Sequence, residues 1–482
     1  MLDTRPPSED LPLQAASRRA APAPRPALRY LLAGVALAGS SLIGLRPVSD
    51  LSPWLHLRIG QLLIEGNRFG TPDPLSTFTN RPYLPSEWLP SILGTKVFEL
   101  MGLPGIVWMR YIGVLTLLTS ILWVTRHIAD EVPALICAIG ALVGASLGLT
   151  ERPQLLGFVF LAVAIGAWWR TAEDLRPRWW LIPMTWLWAS CHGLWIVGAG
   201  VGACVLVGLA INRRLTRRAG ARLGLLWVAS LASVGLTPLG PRLLALPFQN
   251  SGNVRAFVGE WQPTQATNPI AMVTLAMIGC VLLLWIRSAV TPPAWQLSLA
   301  ALSAVSTLAM TRTIAVGALL AAPLLADALQ NHRGEPMTRP SGRAAKTWLA
   351  TMLCLAALAI PVAMAVDQTT DTVPAKLTSQ LQGLPPGTVV FDHDDLSGWL
   401  MWIAPQSRPV IDLRSEVYDA TYHIKYARAM QVLPGWDQFV ANSGASYALV
   451  LNDSAIAEAL RTRLGWTQVG VDKGYVLLKE GS

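Results

Sequence analysis

Charge is scarce in this chain of 482 residues: Asp, Glu, Lys and Arg make up 14% of it, against 52% hydrophobic residues and a mean hydropathy of +0.42. That excludes an ordinary soluble enzyme, in which about 25% of residues are charged. Cysteine is equally sparse. Cys137, Cys191, Cys204, Cys280 and Cys354 lie in or beside apolar segments and form no CxxC pair, which excludes a disulfide framework and a thiolate metal site and leaves free core thiols. HExxH, GxSxG and Walker signatures are missing too, so metalloprotease, serine hydrolase and ATP-driven transport lose their sequence support. So are the matched Gly/Pro breaks in two halves that many secondary transporters carry. The formal charge of +9 does not point to nucleic acid, because the basic residues are scattered between hydrophobic spans and not gathered on one soluble face.

What is present is a series of long apolar runs and 20 Trp, a residue that favours the level where hydrocarbon meets headgroups. A hydrocarbon core of about 30 Å needs about 20 helical residues. Runs of roughly that length lie near residues 30–46, 105–125, 132–150, 154–169, 179–191, 194–211, 223–239, 269–286, 295–310, 314–329 and 347–366. The expected fold class is therefore a mainly α, polytopic helical membrane protein with about eleven spans. With the N-terminus cytoplasmic, half of the 38 basic residues fall on cytoplasmic segments, although the opposite loops are longer. The run NRRLTRRAGAR from Asn212 to Arg222 is the strongest marker of that orientation.

Residues 1–28 are Pro- and Arg-rich and read as a disordered cytoplasmic tail ahead of a transmembrane domain over 29–366. Two stretches are not membrane-like. The first outer loop, 47–104, has a broken apolar pattern that reads as short amphipathic helices along the membrane surface. Over 367–482, β-rich runs such as TVVFD, PVIDL, YALVL and GYVLLK alternate with helical SAIAEALRTRLG, which predicts a small extracytoplasmic α/β domain.

This topology sends Asp50, His56, Asp73, Glu87, Glu151, Arg152, His192, Glu260 and Arg312 to outer loops or outer helix ends. A charge at such a depth is costly unless it is paired or faces a wet cavity, so the set suggests one shared polar cavity. Each member also has a plainer reading. Asp50 can cap the segment SPWLHLRIG, and Asp73, between prolines in TPDPLS, can form a turn. His56 and His192 can be interfacial or turn residues, and Glu260 a solvated loop carboxylate. Arg152 and Arg312, in the short turns GLTERPQ and AMTRTIA, can snorkel to lipid phosphate or bind an anionic substrate group. Asp392, His393, Asp394 and Asp395 can bind a cation or form a solvated loop, and Asp412 with Arg414 can form an internal pair.

The stretch from Ser49 to Leu89, SDLSPWLHLRIGQLLIEGNRFGTPDPLSTFTNRPYLPSEWL, resembles the first outer loop of a group of bacterial polytopic proteins of the GT-C glycosyltransferase superfamily. Asp50, Trp54, His56, Leu57, Gly60, Asp73, Pro74, Ser76, Glu87, Trp88 and Leu89 carry the likeness. Later blocks continue it: ERPQLL at Glu151, His192-Gly193, TPLGPRLLALPF from Thr237, GEWQPT from Gly259, and Asp412, Arg414, Glu416 and Tyr418 in the tail. Two positions depart from the pattern. Ser52 stands where a second acid is usual, and Leu55 where a second Trp often occurs.

The resemblance implies a membrane glycosyltransferase that moves a sugar from a polyprenyl-phosphate donor to an envelope glycan, lipid or protein acceptor on the outer face of the bacterial cytoplasmic membrane. Such transfer needs a carboxylate at the acceptor and a cation at the leaving phosphate. The resemblance then makes Asp50 the base and Asp73 or Glu87 a second carboxylate, with Arg152 or Arg312 on the lipid phosphate. His56 and His192 would shape the acceptor side, and Glu151 and Glu260 would line the substrate cavity. Membrane lipid is an expected partner and nucleic acid is not. No metal ligand is assigned, although the resemblance allows a divalent cation. The alternatives are a non-catalytic protein of envelope assembly that binds a glycan or partner, and a transporter of lipid-linked sugars, against which the apolar middles of the spans argue.

Overall fold

The computed structural model describes residues 26–246, 259–265, 267–288, 291–334, 337–338, 341–366, 372–414 and 416–481. Residues 1–25 of the expected tail, and Pro247 and Phe248 of the TPLGPRLLALPF block, lie outside them.

Each of the eleven apolar runs is a helix. In chain order the helices are α1 Pro26–Gly44, α2 Ser52–Ile64, α3 Trp88–Met101, α4 Leu103–Ile128, α5 Glu131–Ala145, α6 Gln154–Asp174, α7 Leu181–Ala189, α8 Trp195–Ile211, α9 Arg217–Val234, α10 Pro269–Ser288, α11 Ala294–Ala309, α12 Ile314–Arg333 and α13 Gly342–Ala365. Among the described residues, seven stretches are long and apolar enough to cross a membrane: Ala27–Gly44, Leu103–Ile128, Glu131–Gly148, Gln154–Asp174, Pro269–Ser288, Thr311–Arg333 and Gly342–Ala365. The chain is a multi-pass membrane protein. Its α8 and α11 are apolar but shorter. The run expected over 179–191 becomes the half-length α7, which at 1.5 Å per residue rises only about 14 Å before the turn at Ser190.

Burial shows how the bundle meets its solvent. Leu31, Val35 and Leu42 of α1, Leu282 and Ile286 of α10, and Leu349, Leu353 and Leu358 of α13 stay exposed, a belt that water would penalise and lipid tails do not. Central α12 is buried nearly throughout and packs on α5, α10 and α11. One span is not apolar inside. Arg110, near the start of α4, is buried, donates to the carbonyls of Gly44 at 3.0 Å, Pro47 at 3.4 Å and Arg46, and pairs with buried Glu151. It thereby satisfies carbonyls left open at the end of α1.

The loop between α1 and α4 is folded tightly. Its helices α2 and α3 lie against each other, with Thr95 Oγ1 donating to the Leu57 carbonyl at 2.9 Å. A Cβ on Gly60 would stand 2.2 Å from the Ser91 carbonyl oxygen, so only glycine permits this approach.

Beyond α13, five strands form one sheet: β1 Val389–Asp392, β2 Arg408–Pro409, β3 Tyr447–Leu451, β4 Thr467–Asp472 and β5 Tyr475–Lys479, in the order β2-β1-β3-β5-β4. β1 is parallel to β2 and β3, whereas β5 is antiparallel to β3 and β4. Of the expected run PVIDL only its first residue is in a strand; Asp392 Oδ1 instead takes the N–H of Val410 at 2.8 Å and of Ile411 at 3.3 Å. Around the sheet lie α14 Ser397–Ile403, α15 Ala420–Met430, α16 Trp436–Ser443 and α17 Ala455–Arg463. The α14 helix packs on α2, where a Cβ on Gly398 would lie 2.7 Å from the Leu55 nitrogen.

A buried guanidinium joins the loop to the sheet. Arg414 binds Asp73 at both oxygens, at 2.6 and 3.1 Å, and Asp412 through Nε at 3.0 Å and Nη2 at 2.7 Å. Asp412 also accepts the Tyr418 hydroxyl at 2.8 Å. The Arg81 side chain donates to the Glu416 carbonyl at 2.6 Å, and Thr79 Oγ1 to the Val417 carbonyl at 2.5 Å. Substituting Arg414→Leu is expected to cost about 3–5 kcal/mol by stranding two buried carboxylates. The check is thermal unfolding in detergent together with faster proteolysis at the seam around Thr79–Arg81, and an unchanged melting temperature would refute it.

Candidate active site at the helix ends

The polar residues predicted to share a cavity come from six separate segments, and the fold brings most of them together at the end of the bundle that carries the sheet. Asp50 sits in the turn after α1. Its Oδ1 accepts the N–H of Ser52, the first residue of α2, at 2.9 Å, but the N-cap position itself is Leu51, so Asp50 forms a turn one residue ahead of the cap. The same carboxylate faces Arg152, from Nε to Oδ2 at 2.5 Å and from Nη2 to Oδ1 at 3.4 Å. The third Arg152 nitrogen donates to Glu260 Oε1 at 2.9 Å. Burial alone would raise the Asp50 pKa, but Arg152 and the Ser52 N–H outweigh it and hold the group below the usual carboxylate range.

Glu87, at the start of α3, lies between two histidines. His56 Nε2 of α2 stands 3.5 Å from one oxygen, and His192 Nε2, in the turn between α7 and α8, stands 3.4 Å from the other. The Leu89 N–H donates to the Ser190 carbonyl at 3.3 Å and so ties α3 to that turn.

Neighbouring partners fix the tautomers. His192 Nδ1 accepts the Leu194 N–H at 3.2 Å, which places its proton on Nε2, facing Glu87. The Ser91 hydroxyl donates its one hydrogen to the Glu87 carbonyl at 2.8 Å and therefore accepts from His56 Nδ1 at 3.4 Å. His56 Nε2 is then a bare lone pair facing Glu87 Oε2, and a proton on Glu87 completes the chain. A closure of about 0.5 Å would turn both separations into full hydrogen bonds, as sites tighten around substrate.

Electrostatics agree with this assignment. Although 23% of the Glu87 side chain touches solvent, protein surrounds it at longer range. Burial pushes its pKa up to about 7, with Arg312 and Arg152 pulling down and Glu416 pushing up. Burial also lowers His56 to about 4, and burial with the charge of Arg312 holds His192 well below its ordinary value. His56 feels Asp50 and Arg152 as well, so the two clusters share one field. Arg312, in the turn between α11 and α12, lies over the Trp261 ring at 5.6 Å and has no carboxylate ion-pair partner among the described residues.

Two expected members stand elsewhere. Asp73 is fully buried on Arg414 and takes the N–H groups of Leu75 and Ser76 at 2.9 and 3.1 Å, so its lone pairs are engaged at the seam. Glu151 points the other way from its neighbour Arg152, into the bundle, and belongs to Arg110. Sequence reading passed over Arg110, although an arginine within an apolar run is a signal in itself. The sheet adds groups of its own. The loop after β1 brings Asp395 within the fields of Arg152 and Asp50, with His393 Nδ1 3.3 Å from Asp394 and 3.8 Å from Asp395. The end of β1 thus faces the bundle site, as ligand-bearing edges of parallel strands commonly do.

Because Glu87 keeps its proton in the folded state between its ordinary pKa of 4.5 and about 7, folding binds a proton in that window and stability falls as pH rises through it. Difference infrared spectra are expected to show, among the protonated carboxyl bands, one that disappears as pH passes about 7 and is missing from Glu87→Gln. A band that titrates near 4.5 would refute the assignment.

No family model and no curated protein matches the sequence. Solved structures match its fold. Archaeal oligosaccharyltransferase AglB from Archaeoglobus fulgidus, in complex with an inhibitory peptide and a dolichol-phosphate, aligns with TM-score 0.60 at 12% identity over 88% of this chain and 69% of that chain. The complex of the Archaeoglobus fulgidus oligosaccharyltransferase with Zn and sulfate aligns with TM-score 0.58 at 13% identity over 87% and 68%. ArnT from Cupriavidus metallidurans, bound to undecaprenyl phosphate, aligns with TM-score 0.52 at 15% identity over 93% of this chain and 97% of that one. Both proteins are members of the GT-C glycosyltransferase superfamily, and this chain has the GT-C fold.

Proposed function

We propose that this protein is a membrane glycosyltransferase that moves a sugar from a polyprenyl-phosphate donor to a cell-envelope acceptor at the extracytoplasmic face of a bacterial cytoplasmic membrane, with its N-terminus in the cytoplasm. The observation that carries this reading is the meeting of a proton-holding carboxyl, Glu87, with Arg312, a cation that among the described residues pairs with no carboxylate, at one end of the bundle. Lipid phosphates in the AglB and ArnT structures agree with it.

In the transfer, an acceptor oxygen forms the new bond to the anomeric carbon as the bond from that carbon to the donor phosphate breaks. The phosphate leaves on its lipid, and the acceptor proton must go to a base. Asp50 is poorly suited to that task, because Arg152 holds it ionised at low pH and thus weakly basic. Glu87 is better suited, with a pKa near working pH and His56 and His192 to orient it. Asp50 then positions Arg152 and the start of α2. Arg312 takes the leaving phosphate in preference to Arg152, whose nitrogens are already on Asp50 and Glu260.

A divalent cation does not fit at Asp50, where a guanidinium already neutralises the carboxylate. Among the described residues, the donors with metal-ligand spacing are His393, Asp394 and Asp395, all within 4.8 Å of one another, and these would hold a divalent cation.

The test is a comparison of envelope glycans and polyprenyl-phosphate sugars in a deletion strain carrying wild type, Glu87→Gln or Arg312→Met. Deletion is expected to remove one glycan and build up its lipid donor, with full restoration by wild type and transfer reduced about 10²-fold in each variant. Transfer by wild type is expected to rise with pH up to about 7, as Glu87 loses its proton, and then to level off. Full rescue by both variants would instead favour a non-catalytic role in envelope assembly, and a donor trapped in one leaflet would favour transport.

A further inference from the structure

A second site opens on the sheet side of the seam. A cleft of about 430 Å³ lies between α15, α16 and the first loop, within the range of about 300–1,000 Å³ common for ligand pockets. Its floor is aromatic. Phe78 stacks on Tyr422, with ring centres 6.0 Å apart and planes at 29°, and Phe439 meets Tyr422 at 5.5 Å and 62°. The Tyr422 hydroxyl is tied to the Val410 carbonyl at 2.7 Å, so the ring offers its face and edge to the cleft. The rim is polar. Lys425, Gln438 and Asn442 are exposed, and their side chains make no hydrogen bond or ion pair among the described residues. Arg428 also lines the cleft, steadied by the Pro434 carbonyl at 3.2 Å, and among the described residues no acidic one does.

We infer that this cleft binds an anionic saccharide. The apolar faces of sugar rings suit aromatic surfaces, and hydroxyls suit planar amides that can donate and accept. Two cations without an acid beside them call for a carboxylate or phosphate on the ligand. Phe78 comes from the bundle loop, so the cleft exists only while that loop is held to the sheet. A line of residues leads from it toward the Glu87 site. Thr79, next to Phe78, donates to Val417, and the neighbouring Glu416 is among the charges felt at Glu87. The saccharide is therefore the acceptor chain, bound away from the point of transfer; this last step rests on the transferase reading, whereas the binding itself does not.

Isothermal titration of the full chain in nanodiscs with tetragalacturonate, maltotetraose and hexaglutamate tests the inference. Tetragalacturonate is expected to bind with a Kd below about 1 mM, maltotetraose more weakly and hexaglutamate not measurably. Lys425→Glu, an exposed change that spares the fold, is expected to weaken tetragalacturonate about tenfold and leave maltotetraose unchanged, and Asn442→Ala to weaken both about threefold. Absence of tetragalacturonate binding, or no effect of Lys425→Glu, would overturn the inference. Equal binding of hexaglutamate would assign the cleft to an acidic peptide instead. Glu87→Gln protein is expected to bind as wild type does, so binding without any transfer in cells would remove the acceptor role and leave the saccharide site standing.

Discussion

A guanidinium withdrawn from water is tolerable only where carboxylates and hydrogen bonds replace its hydration, and Arg414 meets that condition with Asp73 on one side and Asp412 on the other. The two acids belong to different parts of the chain, one to the loop between α1 and α4 and the other to the end of the sheet's second strand. Their shared cation holds the two parts in register. Together with the Arg81 and Thr79 bonds across the same seam, it supports everything that requires the two parts to be adjacent: the approach of Asp395 to Arg152, the effect of Glu416 on Glu87, and the placing of Phe78 against Tyr422. A second buried pair, Arg110 with Glu151, does the same for the turn between α1 and α2.

Within that frame the two carboxylates of the site take opposite characters from their surroundings. Asp50 faces a cation and a backbone N–H and stays ionised. Glu87 faces two imidazoles that burial keeps neutral, so burial outweighs the pull of Arg312 and Arg152 and its proton is retained until about pH 7. Separation of a permanent anion from a titrating acid within one field is how a single cavity can both position and accept a proton. The Ser52 N–H adds to the support of the ionised Asp50.

Much of this was legible in the residues. The eleven apolar runs became helices, since twenty consecutive apolar residues have few alternatives, and α7 fell short because its run holds Pro183 and ends at Ser190. The grouping of Asp50, Arg152, His56, Glu87, His192, Glu260 and Arg312 followed from alternation of the helices alone. The pair of Asp412 with Arg414 could be suspected from its spacing, but not the third partner, Asp73, more than three hundred residues earlier.

The sequence by itself thus determined the solvent of this protein, the places of its apolar helices along the chain and the end at which its charges gather. Those features depend on local composition and on the cost of charge in hydrocarbon. Only the tertiary structure decided which acid faces which base: that Asp73 and Glu151 are bound elsewhere, that Asp50 belongs to Arg152, and that Glu87 stands between two histidines. Pairing depends on distances of a few ångströms between segments remote in the chain, and a pKa depends on what lies within that range.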